Sequence, residues 1–406
     1  MIPLAQLTTS DPRLQALSMT ASDLPLAGGP GPRGLYVHVP FCVHKCHYCD
    51  FYSLVETGPD SRRPAFTDRL IEEIRAAAPR VPCPLQTIFV GGGTPTLLEP
   101  GLWARLLAAI RTHLPLAPGL EFTVEANPDS LEPELLDVLV RGGVNRLSIG
   151  AQSFNPRLLA TLERRHDPAN VRRAVGLARA AGITNVNLDL IFGIPGQDLD
   201  TWLADLDEAV SLEPLHLSCY SLMYEPNTPL TARMRSGAIR RVDEEVEAAM
   251  YEATIDRLHE AGFEHYEISS WARPGRACAH NLLYWRNESW WPLGPGAAGH
   301  VEGIRWKNVP RLGDYLRVRP LPPITDVEQL DEDGTVGEIL MLGLRLTEGI
   351  GEAQLRTLLA RGRRGPQRAS AIEQQVAAGL LARRDGFLRF TRAGLLLADT
   401  VLAEVL

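Results

Sequence analysis

Between residues 35 and 221, short runs typical of β-strands alternate with segments typical of α-helices, in which apolar residues recur three and four positions apart. The predicted strands are residues 35–39, 87–90, 121–125, 146–149, 185–191 and 216–221. The predicted helices are residues 65–78, 102–114, 131–140, 169–180 and 201–210. This alternation predicts right-handed βαβ units and a parallel sheet.

Six parallel strands predict an α/β fold built on a partial, six-stranded β/α barrel. A closed barrel of eight strands is the alternative, provided that residues 265–270 and one more strand join the sheet. Polar residues stand at the predicted strand ends, where barrels and open sheets gather ligands. These residues are Gly91-Gly92-Gly93-Thr94, Glu125, Gln152 and Asp189.

The rest of the chain divides around this core. Residues 1–33 are predicted to be a flexible leader, because their last part is dense in Gly and Pro. Residues 34–240 form the core, and residues 241–325 form an extension with a loop-rich, aromatic segment. In residues 326–406, helical segments and a predicted hairpin with Asp385-Gly386 at its turn indicate a small winged-helix-type domain.

Charge and hydropathy exclude two classes of partner. A formal net charge of −8 opposes nucleic-acid binding, which depends on Lys and Arg neutralising phosphates. No window of the sequence approaches the roughly 20 apolar residues of a membrane span, and the first residues lack a charged region followed by an apolar one. We therefore expect a cytoplasmic protein.

Three of the six cysteines stand close together in the pattern Cys42-x3-Cys46-x2-Cys49, directly after the first predicted strand. Three thiolates on one loop can hold an iron–sulfur cubane and leave one iron open to a small molecule. The spacing alone also allows a zinc site completed by His44 or His47. Cys83, Cys219 and Cys278 are isolated, which suits a reducing compartment better than a disulfide framework.

This cysteine spacing, on a loop after the first strand, resembles the radical S-adenosylmethionine (SAM) superfamily. The resemblance implies a [4Fe–4S] cluster on the three cysteines and SAM on the open iron. It also implies that Gly92, Gly93 and Thr94 hold the methionyl amine and that Glu125 accepts from the ribose. The other implied SAM contacts are Tyr36, Tyr48, Gln152, Arg164 (with Arg165 as the alternative) and Asp189.

Within this superfamily the chain resembles the oxygen-independent coproporphyrinogen III oxidase group, because of the order of these motifs and the segment 225–230. That group contains a radical decarboxylase of porphyrin synthesis and a haem chaperone. The decarboxylase carries a further Cys two residues after the third cluster Cys, where this chain has Phe51. The resemblance therefore favours the chaperone, and the decarboxylase is the alternative.

Residues 280–285, His-Asn-Leu-Leu-Tyr-Trp, match the HNxxYW signature of the haem chaperones in that group. A His can ligate haem iron, and Tyr and Trp offer flat faces to a porphyrin. The candidate haem-binding residues are His280, Asn281, Tyr284, Trp285 and, as an alternative thiolate ligand, Cys278.

The resemblance implies several partners. They are haem, a protein that accepts the haem and a protein that reduces the cluster. It is also compatible with a homodimer and with peripheral membrane association through the acceptor. Whether SAM is cleaved during haem transfer stays open at this stage.

Overall fold

The computed structural model describes residues 19–26, 28–56 and 61–406. In these residues the strands are β1 (Gly34–Val39), β2 (Phe41–Cys42), β3 (Leu54–Val55), β4 (Leu85–Gly92), β5 (Leu116–Ala126), β6 (Arg146–Gln152), β7 (Asn185–Phe192), β8 (His216–Ser221), β9 (Glu264–Glu267), β10 (Ser270–Ala272), β11 (Trp290–Leu293), β12 (Ala298–Val301), β13 (Ile304–Asn308), β14 (Ile324–Gln329), β15 (Ile350–Gly351), β16 (Leu381–Arg384) and β17 (Phe387–Phe390).

The helices alternate with the first of these strands and then dominate the C-terminal part. They are α1 (Arg63–Ala77), α2 (Pro100–His113), α3 (Pro133–Arg141), α4 (Pro156–Thr161), α5 (Pro168–Ala180), α6 (Leu199–Ser211), α7 (Pro229–Arg235), α8 (Glu244–Glu260), α9 (Ala279–Trp285), α10 (Leu312–Arg317), α11 (Glu332–Leu344), α12 (Glu352–Leu359), α13 (Gly365–Ala377), α14 (Arg392–Leu396) and α15 (Ala398–Val405).

The six predicted strands are confirmed as β1, β4, β5, β6, β7 and β8, which lie side by side in that order and run parallel. Burial is almost continuous along β1 and β6, as expected for strands covered on both faces. Helices pack against the outer face through residues one turn apart, such as Trp103, Leu106 and Ile110 on α2.

Further strands extend this sheet on both sides. β11 joins β1 in parallel, and β10 joins β8 antiparallel, so the predicted additional strand at residues 265–270 is present as parts of β9 and β10. Among the described residues the sheet has twelve strands and runs from β14 to β9. The α/β fold with a partial barrel is therefore confirmed.

The C-terminal residues have a hydrophobic core of their own, with members such as Val336, Leu340 and Ile372. Helices and strands follow the order α11, β15, α12, α13, β16, β17, which is typical of a winged helix. The predicted hairpin is confirmed, and Asp385 and Gly386 have φ angles of 55° and 82°, as a type I′ turn requires. The boundary predicted at residue 326 falls inside β14, which still belongs to the large sheet.

The predicted leader is described only in part, because residues 1–18 and 27 lie outside the described residues. Thr20 forms a bridge with Pro323, and Ala21 and Leu24 are buried in the main core. Residues 20–24 therefore pack against the protein. In the part of the chain that the structure describes, no helix is long and apolar enough to span a bilayer.

Candidate cluster and cofactor site

The three motif cysteines lie on the segment that follows β1, at the carboxyl edge of the parallel strands. Cys42 ends β2, and the backbone N–H of Cys49 donates to the carbonyl of Cys46 at 3.2 Å. All three thiols are free. Burial raises the pKa of Cys49 to about 11, and the neighbouring thiols of Cys46 and Cys42 raise it further. The structure therefore brings the three sulfur atoms together.

Thr94 and Arg164 are placed to donate to the motif cysteines. Thr94 Oγ1 lies 3.8 Å from Cys42 Sγ, and Arg164 Nη1 lies 3.8 Å from Cys46 Sγ. Hydrogen bonds and positive charge favour a thiolate, which is the form that binds iron. The donor set therefore fits an iron–sulfur cluster, in which each cysteine binds a different iron atom.

The alternative ligands for zinc were His44 and His47. His44 Nε2 faces the carboxylate of Glu163 at 3.6 Å, and its side chain is partly exposed. Among the described residues, no group of three or more His, Cys, Asp and Glu side chains has the geometry to hold a single metal ion. In a cubane each cysteine binds a different iron atom, so the three sulfur atoms do not need to lie around a single metal ion.

Glycines at the end of β4 and directly after it allow the backbone to approach the Cys segment and Glu125. A Cβ atom at Gly91 would lie 2.7 Å from Glu125 Oε2, and one at Gly93 would lie 2.5 Å from the carbonyl oxygen of Phe41. Gly92 has a φ angle of 110°, which is open to glycine alone. The close approach leaves backbone groups, rather than side chains, facing the site.

The Glu125 carboxylate, at the end of β5, has unused hydrogen-bonding capacity. Among the described residues only the N–H of Gly92 donates to it, at 3.1 Å. Burial raises the pKa of Glu125 to about 8, and the nearby carboxylate of Asp189 adds to the rise. A ligand with hydroxyl donors would satisfy this group, as the ribose of SAM could.

Gln152 and Arg164 meet beside Gly150 at the end of β6. The pairing of β6 with β7 is irregular here, and Gln152 has a φ angle of 64°, which costs a non-glycine residue about 1–3 kcal/mol. Arg164 Nη2 donates to the carbonyl of Gly150 at 2.8 Å, and its buried Nε–H has no partner among the described residues. The guanidinium therefore has a donor to spare for a carboxylate.

Asp189 is held by neighbouring strands in the barrel interior. Ser148 Oγ donates to it at 3.0 Å, and Asn187 Nδ2 donates to it at 2.8 Å. Burial raises its pKa, and these hydrogen bonds oppose the rise. Asn187 is itself bonded to His216 at 2.6 Å. The orientation of Asp189 thus depends on residues from three strands.

The two tyrosines predicted to pack beside SAM lie in different surroundings. Tyr36 stacks on Phe89 with ring centres 6.4 Å apart, and its hydroxyl is 3.1 Å from His38 Nδ1. Burial raises the pKa of Tyr36, as does the nearby carboxyl of Glu125. Tyr48, on the Cys segment, packs against the small apolar cluster that contains Leu162.

The signature residues 280–285 lie on α9 at the other end of the barrel strands. His280 Nδ1 is 2.8 Å from Thr87 Oγ1, and Thr87 precedes Gly92 by five residues, which is about 16 Å along a strand. His280 Nε2 is 2.8 Å from the hydroxyl of Tyr284. His280 is fully buried, and both of its ring nitrogens have hydrogen-bond partners.

The first turn of α9 is held by the carboxylate of Glu121, near the middle of β5. Its two oxygens each accept one backbone N–H, from Ala279 and His280, at 3.1 Å. The Cys278 thiol also donates to it at 3.5 Å. Burial raises the pKa of Cys278 to about 12, although the nearby Arg146 lowers it. The Cys278 side chain is therefore a buried thiol in this structure.

The remaining signature residues lie nearer the surface. Asn281 Nδ2 is 3.4 Å from the hydroxyl of Tyr266, and Trp285 is partly exposed. The structure thus buries His280 and Cys278 fully and leaves Asn281, Tyr284 and Trp285 partly exposed.

Comparison with known proteins places this site in a family. The Radical SAM superfamily profile matches residues 36–209. A curated heme chaperone HemW from Mycobacterium tuberculosis is 41% identical over 391 residues, which cover 94% of this chain and 97% of the relative. The chain belongs to the HemW family. HemW proteins of Bacillus subtilis and Escherichia coli are each 35% identical and are covered to 99% and 97%.

A solved structure agrees with the HemW fold. Coproporphyrinogen III oxidase (HemN) of Escherichia coli, described as a radical SAM enzyme, superposes with a TM-score of 0.80 at 23% identity, covering 93% of this chain and 91% of that one. This similarity concerns the fold alone. The radical SAM core of this HemW-family chain implies a [4Fe–4S] cluster and SAM, and the residues described above fit both.

Sequence reasoning missed several supporting residues of the HemW-family site. They are His38, Glu121, Arg146, Ser148, Asn187 and His216. A signal was present, because polar residues recur at alternate positions within otherwise apolar strands, as in Ser148 of β6 and Asn187 and Asp189 of β7. Such a pattern indicates a polar barrel interior.

Proposed function

We propose that this HemW-family protein is a haem chaperone that binds a [4Fe–4S] cluster, SAM and haem and delivers the haem to an acceptor protein. One observation carries the proposal: a relative named heme chaperone HemW matches this chain along 97% of its own length. The match therefore extends beyond the radical SAM core into α9 and the C-terminal domain.

In this proposal Cys42, Cys46 and Cys49 hold the cluster. Thr94 and Arg164 donate to two of the sulfur atoms, and the spare N–H of Arg164 would bind the SAM carboxylate. When bound, the reduced cluster supplies the electron that can cleave SAM.

SAM would bind at the carboxyl ends of the strands. Gly92, Gly93 and Thr94 would receive its methionyl amine, Glu125 would accept from its ribose, and Gln152 and Asp189 would complete the polar wall. Tyr36 and Tyr48 would pack beside the cofactor.

Phe51 supports the chaperone over the decarboxylase. It follows Cys49 by two residues, and 66% of its side chain is exposed. A phenyl ring there can neither ligate a metal nor transfer a proton, whereas the decarboxylase group has a cysteine at that position. The same site therefore lacks a reactive group associated with porphyrinogen decarboxylation.

We further propose that haem binds near α9 and that the protein is cytoplasmic. The acceptor protein and a reductant of the cluster are its expected partners. A homodimer and peripheral membrane association through the acceptor remain parts of the hypothesis.

The proposal is tested with anaerobically reconstituted protein loaded with haem. Haem transfer to an apoprotein trap, apomyoglobin, is followed by the appearance of the holomyoglobin spectrum, and we expect it to depend on the chaperone. A parallel incubation with coproporphyrinogen III, SAM and a reductant should yield no protoporphyrinogen. Failure to bind haem, or accumulation of protoporphyrinogen, would overturn the proposal.

A further inference from the structure

The signature helix α9 presents its residues to two different surroundings. His280 and Leu283 are buried on its inner side. Leu282 and Arg286, which are four residues apart and therefore on one face, line a groove on the outer side. The inner side is occupied by protein atoms, and the outer side is open to a ligand.

We call this outer cavity the junction groove, because three parts of the fold meet there. Tyr266 comes from the edge strand β9, Leu282 comes from α9, Arg286 is the residue directly after α9, and Leu346 and Arg389 come from the C-terminal part of the chain. Its volume is about 530 Å³. Sites for small molecules and cofactors are commonly about 300–1,000 Å³.

The groove combines an apolar surface with guanidinium groups. Arg286 is exposed, and its side chain has no hydrogen bond or ion pair within the described part of the chain. Arg389 Nη2 donates to Asp385 at 2.8 Å, but no described residue accepts from its buried Nε–H. Glu264 and Glu348 also line the groove. The groove therefore carries both positive and negative side chains and would not bind every anion.

These features match a flat, mostly apolar ligand that carries a few carboxylates. A haem has a porphyrin ring and two propionates, and guanidinium groups suit carboxylates better than ammonium groups do. Leu282 and Leu346 offer apolar contact, and Tyr266 offers a ring.

We propose that haem docks in the junction groove, with its propionates against Arg286 and Arg389 and its ring against Leu282 and Leu346. This inference rests on the proposed haem-chaperone function and names the place where that function holds its cargo. It also gives His280 a positioning role: its bond to Thr87 fixes α9, and α9 in turn presents Leu282 and Arg286 to the groove.

The test compares Arg286→Glu and Arg389→Glu with a matched control, Arg75→Glu. Arg75 lines a second surface groove, of about 590 Å³, between α1 and α2. Haem is titrated into each variant, and binding is followed by the Soret band. We expect affinity to fall at least about tenfold in the two groove variants, because each loses a charge-assisted contact with a propionate, and to change less than about twofold in Arg75→Glu.

A second probe, haem dimethyl ester, separates the carboxylate contacts from other effects. The ester lacks the propionate charges, so Arg286→Glu should bind it as the unsubstituted protein does. If Arg286→Glu loses affinity for haem and for the ester equally, or loses no affinity for haem, haem does not bind in the junction groove as proposed. If the unsubstituted protein binds no haem, the haem-chaperone function itself fails. Thermal unfolding at an unchanged temperature shows that each variant is folded.

Discussion

Glu125 shows how one residue acquires a particular chemistry from its surroundings. It lies at the end of a parallel strand with a single donor, and burial raises the pKa of its carboxyl to about 8. Hydroxyl groups that donate to it favour its ionised form. Binding of a ribose should therefore lower this pKa and release a proton.

We predict that the affinity for SAM rises with pH up to about 8 and then levels off. Below the pKa of Glu125 the ionised form becomes about tenfold rarer for each pH unit, so the affinity falls accordingly. Calorimetric titration of SAM between pH 6 and 9 measures the effect. Glu125→Gln should bind SAM weakly at every pH, and an unsubstituted protein with a flat profile would contradict the prediction.

Cys46 is the most buried of the three motif cysteines, and Arg164 donates to its sulfur atom. We predict that Cys46→Ala retains far fewer than the roughly four iron atoms of a cubane, because one corner loses its ligand. Iron analysis after anaerobic reconstitution measures the loss. Cys83→Ala, which removes a free cysteine outside the motif, should keep the full iron content, and equal iron in both variants would rule out this assignment.

The sequence was informative about residues that are close together along the chain. The three cysteines lie within eight consecutive positions, so their spacing already indicates that they share one loop. The sequence did not predict the hydrogen bonds of Ser148 and Asn187 to Asp189, because these contacts form only when β6 and β7 are paired. Contacts between strands depend on register, which a single sequence does not show directly.

At the scale of elements, α9 shows that a short helix can depend on a distant strand. It has seven residues, which is too short for a stable isolated helix. The Glu121 carboxylate accepts two of its first N–H groups, and negative charge is favourable at a helix N-terminus. β5 therefore fixes the start of the signature helix.

We predict that Glu121→Gln lowers the free energy of unfolding by about 1–2 kcal/mol, because an amide replaces one of two charged acceptors. Hydrogen exchange in residues 279–285 should become faster. Glu213→Gln is the control, because the Glu213 side chain is 81% exposed, and it should leave both properties unchanged. Unaltered exchange in Glu121→Gln would show that the helix does not need this contact.

At the scale of the whole molecule, the barrel interior keeps several histidines neutral. Burial lowers the pKa of His280 to about 3, and Arg146 lowers it further. Burial also lowers the pKa values of His38 and His166 to about 4. These groups take up protons more readily in the unfolded chain, so acid favours unfolding.

We predict that the contribution of these histidines to the free energy of unfolding falls as the pH decreases from about 6.5 towards 3, whereas buried carboxyls with raised pKa values, such as Glu125, contribute in the opposite direction. The sign follows from the lowered pKa values: the contribution is complete above the unfolded pKa of about 6.5 and is lost below it. Urea denaturation at a series of pH values measures the slope. His280→Gln removes one titrating group, so the slope of its free energy of unfolding against pH should be less positive between pH 3 and 6.5, even if the variant is less stable overall. An identical slope would place the proton uptake elsewhere.

The sequence alone determined the six parallel strands, the close spacing of the three motif cysteines, the polar strand ends and the C-terminal hairpin. These features follow from local periodicity, from residues adjacent along the chain, and from the geometry that makes parallel strands end at one edge. Only the tertiary structure decided that β10 and β11 extend the sheet and that α9 lies at the edge opposite the cysteines. It also decided that His280 faces inward while Arg286 faces the junction groove. These outcomes depend on packing between segments far apart in sequence. Local patterns are compatible with several tertiary arrangements, and the stable one is the arrangement that buries the apolar side chains and satisfies the buried hydrogen-bonding groups.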